Sequence, residues 1–138
     1  MDQTTLARDF DRAFGAFWGN GTKQDFYDFF DDRALMIDED NPIVMDKPAF
    51  VDHIEFHLSG IWESMNWKPR QHAVAVFDGT GLVSGQFTFR GKPKNSGYRQ
   101  RHGNFSVVCY WDTGTKRWRG AKLHLSPLLS HIYHNSPA

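Results

Sequence analysis

Between Gly97 and Leu129 the chain reads GYRQRHGNFSVVCYW, turns at DTGTK and continues RWRGAKLHLSPLL. Two long runs rich in Val, Phe, Tyr and Trp around a tight Asp-Thr-Gly turn specify an antiparallel hairpin. Arg99, Arg101, His102, Lys122 and His124 interrupt these runs. Polar groups inside such a pattern either mark a solvated face or line a cavity. Counting by twos puts Trp118, Gly120, Lys122, His124 and Ser126 on one face, and Arg119, Ala121, Leu123 and Leu125 on the other. On the neighbouring run Arg101, Gly103, Phe105, Val107 and Cys109 oppose His102, Asn104, Ser106 and Tyr110. Cross-strand register decides which sets face inward, and a slip of one residue reverses the answer.

Upstream the period is helical. Leu6, Phe10, Phe14 and Phe17 recur at three- and four-residue spacing, which predicts a helix over about 4–18, ended by Gly19-Asn20-Gly21. Thr22 caps a shorter helix with Phe26, Phe29 and Phe30 on its buried side, and Asp25 three residues on resembles a capping box. Ala34 to Asp40 and Pro42 to Met45 read as a short hairpin. Asp46 then caps a third helix whose apolar stripe is Phe50, Val51, Ile54, Leu58 and Ile61. From Trp67 onward the period is two, giving strands at about 68–78, 82–91, 98–111 and 117–126. Helices first and a meander of long strands afterwards make an α+β chain, a single domain over 1–138.

Sixteen basic and sixteen acidic residues cancel, so no global field draws the chain to nucleic acid or an anionic membrane. The single cysteine, Cys109, excludes an intramolecular disulfide and a cysteine zinc cluster. MDQTTLARDF lacks a secretory h-region and no apolar run reaches the ~20 residues of a membrane span, so a cytoplasmic protein is expected. Twelve Phe, five Trp and four Tyr are many rings for one small domain. Either the core is built of rings, or several of them line a pocket for a flat ligand.

Trp118-Arg119 followed after four residues by His124-Leu125-Ser126 resembles the final strand of the SnoaL-like proteins, members of the nuclear transport factor 2-like superfamily. The resemblance extends over roughly residues 5–130, through Arg101, the run Asn104 to Trp111, and Pro42 to Met45 before Asp46. It implies a cone: a curved antiparallel sheet wrapped around three N-terminal helices. It also implies acid–base chemistry without a cofactor, and pairing into a homodimer as in the association domain of calcium/calmodulin-dependent protein kinase.

Asp38 and Asp40 share a strand face, and Asp38 lies in a segment similar to the one carrying the base of ketosteroid isomerases. Where that isomerase has its oxyanion-hole tyrosine, this chain has Phe14. His72, in Arg70-Gln71-His72-Ala73-Val74, is similar to the general-base histidine of scytalone dehydratase. The acid that orients that histidine has no counterpart near Trp18-Gly19. Each candidate has a plainer alternative: a solvated turn for Asp38, a structural strand histidine for His72. An inward Arg101 needs an anion, either Asp38 or a substrate oxyanion. His53 and His57 at i, i+4 in HIEFH are the only metal-type spacing; Ile54 replaces the zinc-protease glutamate, so they read as exposed helix histidines.

The expected function is therefore a cofactor-free lyase, dehydratase or isomerase acting on a small aromatic, hydroxylated substrate. His124, Arg101, Asp38 and His72 are the expected catalytic residues. Tyr27, Phe14, Trp18, Trp67 and His102 are the expected substrate contacts, with no metal. The alternative is a non-catalytic ligand-binding or dimerisation module of the same fold.

Overall fold

In the computed structural model, residues 1–38 and 41–127 are described. Helix α1 (Gln3–Phe14) starts at Asp2, whose carboxylate accepts from the Thr5 N–H while the Thr5 hydroxyl accepts from the Asp2 N–H. A single 3₁₀ turn, Gly15–Trp18, extends it to the predicted end, and Gly19 closes it at φ 87°. Helix α2 (Lys23–Phe29) is capped by the Thr22 hydroxyl, which accepts from the Asp25 N–H. It runs without a loop into β1 (Phe30–Asp38), which pairs antiparallel with β2 (Asn41–Asp46). Asp46 caps α3 (Lys47–Leu58) as expected. The four long strands follow: β3 (Trp62–Phe77), β4 (Thr80–Pro93), β5 (Arg99–Asp112) and β6 (Arg117–Pro127). The β3–β4 connection is a two-residue Asp78-Gly79 turn with Asp78 in the left-handed region at φ 52°.

The sheet order is β2-β1-β6-β5-β4-β3, antiparallel throughout except that β1 and β6 run parallel. The described residues thus give the expected α+β fold, with a single mixed sheet rather than a purely antiparallel one. Its inner face carries the core: Phe105, Val107, Val83, Leu123 and Trp118 are each at most 2 % exposed, under Leu6, Phe10 and Phe14 of α1. Asp40 lies outside the described residues, so its sharing of a face with Asp38 does too.

One irregularity overturns the two-by-two count on β6. Val108 faces Lys122, but Cys109 faces Gly120, so Ala121 is an extra residue in the strand. A bulge of this kind reverses side-chain parity. Trp118 and Gly120 point inward before it, and Leu123 and Leu125 point inward after it. Lys122 and His124 are therefore carried to the outer face, away from Trp118. A second bulge, between Arg70 and Ala73, holds Gln71 at φ 47° and leaves His72 exposed beside the ring of Phe10.

Across the outer face the Tyr110 hydroxyl donates to Asp31 at 2.6 Å, tying β5 to β1 over β6. Arg33 and Tyr110 hold the Asp31 carboxyl well below the usual carboxylate range. Its contribution to stability is therefore fully present above the ordinary aspartate value, about pH 4, and is lost only as pH falls toward the depressed one. No helix among the described residues is long and apolar enough to cross a membrane.

Candidate active site

Helix α3 makes its main contacts with β1 and β2. The space left between α3 and the inner face of β3–β6 is a cavity of about 420 Å³. Its walls are mostly rings: Phe14, Phe17, Phe26 and Phe50 from the helical side, Trp67, Phe87 and Phe89 from the sheet. Trp67 and Phe87 stack at 5.4 Å between ring centres. Gly103 makes room for this stack, since a Cβ there would lie 2.4 Å from the Phe87 ring. Several rings thus form the cavity walls, Phe14 and Trp67 among them.

Polar groups enter this apolar space from two sides. Asp38 follows Ala34 and Met36 inward along β1, opposite Leu125 on β6. Its Oδ2 lies 3.3 Å from His53 Nε2, and the two side chains are only 18 % and 19 % exposed. The ring of His57 packs edge-on to His53 at 4.8 Å, and His57 Nδ1 accepts the Trp62 indole N–H at 3.2 Å. Arg99 and Arg101, on successive inward positions of β5, line the same cavity. Among the described residues no three His, Cys, Asp or Glu side chains are grouped to hold a metal ion.

Asp38 and Arg101 are thus brought together with Phe14 and Trp67 on one cavity. His124 and His72 are not; neither lines it. His102 sits on the outer face, where Gln100 donates to its Nε2 and its Nδ1–H donates to the Thr88 hydroxyl. Trp18 packs against the core from the 3₁₀ turn, outside the cavity walls. Tyr27 is buried and also outside them; burial and then the Glu55 carboxylate push its hydroxyl up to about 12, so it stays protonated. Burial likewise pushes the Cys109 thiol up to about 12, which removes it as a nucleophile near neutral pH.

His53 is the main residue the sequence reading misplaced. It is not an exposed helix histidine but the partner of Asp38. The signal was available: Phe50, His53, Ile54 and His57 recur at three and four, so both histidines lie on the apolar stripe itself. Arg99 was recoverable too, because period two places it with Arg101.

Chemically, the Asp38–His53 pair can carry one mobile proton at the edge of an apolar cavity. A carboxylate facing a neutral imidazole N–H accepts a proton; facing an imidazolium, the pair returns one. The guanidinium groups of Arg99 and Arg101 add positive charge to the same cavity, where negative charge on a bound molecule is stabilised.

No protein-family model and no curated protein sequence matches the chain. Solved structures do. A nuclear transport factor 2-like superfamily protein from Salmonella enterica superposes with a TM-score of 0.76 at 10 % identity, covering 99 % of this chain and 96 % of that one. A scytalone dehydratase-like protein from Novosphingobium aromaticivorans gives 0.76 at 8 % identity, covering 91 % and 83 %. A ketosteroid isomerase-like protein from Erwinia carotovora gives 0.73 at 10 % identity, covering 92 % and 96 %. At such identities the likeness speaks for the backbone alone, and with helices first, one open sheet behind them and a cavity between, the chain has the nuclear transport factor 2-like, SnoaL-like fold.

Proposed function

We propose that the protein is a cofactor-free acid–base enzyme, a lyase, dehydratase or isomerase, acting on a small flat aromatic or hydroaromatic compound. The observation that carries this reading is the Asp38–His53 pair, 3.3 Å apart on a ring-lined cavity of about 420 Å³. The pair takes a proton from a carbon next to a carbonyl, and the C–H electrons move to the carbonyl oxygen as an enolate. Arg99 and Arg101 stabilise that charge. In an isomerase the proton returns to another carbon. In a dehydratase it goes to a departing β-hydroxyl, which leaves as water. The structural neighbours described as scytalone dehydratase-like and ketosteroid isomerase-like fit this reaction class.

The test uses 2-tetralone, a two-ring ketone with acidic C–H bonds next to its carbonyl. The protein is expected to accelerate exchange of those protons for deuterium in D₂O, followed by NMR. Tight binding without any acceleration would overturn the enzymatic reading and favour a ligand-binding module.

The outer face of the sheet supports a second proposal, a homodimer built on that face. Phe77 and Leu82 are 61 % and 37 % exposed there, beside half-buried Val108 and Tyr110. Light scattering is expected to give twice the chain mass at micromolar concentration. A monomer would refute the pairing.

A further inference from the structure

Thr88 alternates along β4 with Phe87 and Phe89, whose rings line the cavity, so its own side chain faces the other side of the sheet. The register fixes what surrounds it there. Gln86 and Arg90 flank it along β4, and Lys68 on β3 and His102 on β5 stand directly opposite. Arg70 pairs with Gln86 and Gln100 with Arg90, while Asn66 and Asn104 fill the two remaining corners. All nine positions are polar; three are cations and none is a carboxylate. Long side chains close over the short one, so Thr88 is only 5 % exposed although it lies on the outer face. Among them is a hollow of about 280 Å³, walled by Arg70, Arg90, Gln86 and His102.

Elsewhere on the sheet, strand cations have acids beside them: Lys92 pairs with Glu63, Arg33 with Asp31 and Arg119 with Asp112. The side chains of Lys68, Arg70 and Arg90 make no ion pair or hydrogen bond among the described residues. Lys68 stands two residues from Arg70 and diagonal to Arg90, and neighbouring like charges on one sheet face repel. A bound anion removes that repulsion. We propose that the hollow binds the phosphate group of a small phosphorylated molecule, a phosphate monoester. Arg70 and Arg90 start from opposite sides of Thr88 and both line the hollow. Each guanidinium offers paired N–H donors that match phosphate oxygens, and Lys68 beside them adds the charge that a dianion calls for. His102 supplies shape rather than charge, because Gln100 donates to its Nε2 and its Nδ1–H donates to the Thr88 hydroxyl. The cations stop at this patch: the next outward row, Ala73, Ser84 and Ser106, is uncharged. A polynucleotide would find no partner there for its further phosphates, which favours a small ligand. The site lies across the sheet from Asp38 and His53, so it stands whether or not the cavity performs the proposed reaction.

The test titrates ribose 5-phosphate and ribose into the whole chain by calorimetry at low salt. The phosphate is expected to bind about tenfold or more tightly than the sugar, and to weaken as salt is raised to about 0.15 M. Arg70→Gln and Arg90→Gln should each weaken it by about tenfold to a hundredfold, the scale of a hydrogen bond between charged groups. Lys122→Gln, on β6 outside the hollow, and Arg99→Gln, on the cavity, should bind ribose 5-phosphate as the parent does. Arg70 and Arg90 are exposed, so both variants should melt, without ligand, within a few degrees of the parent. That result separates lost binding from lost folding. Equal affinity for ribose 5-phosphate and ribose, or unchanged binding in both arginine variants, would overturn the site. Binding lost in Arg99→Gln instead would move the anion into the cavity and refute the assignment. A short single-stranded RNA bound far more tightly than ribose 5-phosphate would overturn the small-molecule class.

Discussion

Replacing Asp38 by asparagine is expected to slow deuterium exchange into 2-tetralone by about three orders of magnitude, within the range by which positioned general bases act. The amide keeps the shape of the carboxylate but cannot accept the substrate proton. His53→Gln should cost about two orders, because the glutamine still donates to Asp38 Oδ2 but cannot hold a second proton. Neither change removes apolar burial, since both side chains sit at a cavity edge with nearly a fifth of their surface exposed. Affinity for 2-tetralone should stay within a few-fold of the parent, so that the loss appears in turnover. His72→Gln and His124→Gln serve as contrasts, because neither histidine lines the cavity. Both are expected to leave exchange intact. A full rate in Asp38→Asn, or a collapse in His124→Gln, would transfer the chemistry from β1 and α3 to the outer face and refute the site.

The largest effect on folding is expected at Trp118. Trp118→Ala should destabilise the protein by about 3–5 kcal/mol, the usual cost of emptying a buried aromatic site. For a chain of this size that lowers the melting temperature by about 10–20 °C. Trp118 is completely buried. Its indole donates to the Thr5 hydroxyl at 3.1 Å, its backbone N–H donates to Asp9 Oδ2 at 3.0 Å, and its ring packs edge-on to Trp111. Gly81 marks how closely it is held, since a Cβ there would fall 3.0 Å from the Trp118 ring. Trp118 thus joins α1 to three strands at once. Trp118→Phe, which keeps one aromatic ring but gives up the fused ring's volume and the donor, should cost less than Trp118→Ala, about 2–3 kcal/mol. Thermal denaturation of the two variants checks both figures. A melting temperature for Trp118→Ala within a few degrees of the parent would show that α1 docks without it.

Both expectations draw on features of different legibility. Phe10, Phe14 and Phe26 announce helices by spacing, Thr22 and Asp46 announce their starts by chemistry, and the long runs after Trp67 announce strands by alternation. These are interactions between near neighbours in the chain, so element order, the α+β class and the ring-rich core could be read directly from the residues. The candidate site was legible in pieces. Asp38, Arg101, Phe14 and Trp67 could be named individually because each is an unusual residue for its pattern or stands at a position the family resemblance marks.

What brought them together is long-range. Asp38 meets His53 only because β1 pairs parallel with β6 while α3 folds back across β1, contacts that no local period encodes. His124 turned outward because a single extra residue, Ala121, reverses the parity of β6. Whether a strand accommodates such a bulge depends on its partner, so counting along one strand cannot reveal it. That the Trp67 Nε1–H finds no partner among the described residues is also a tertiary fact, set by which atoms surround it. Local sequence determined which elements form and which faces are apolar; tertiary packing alone decided which polar side chains share the cavity.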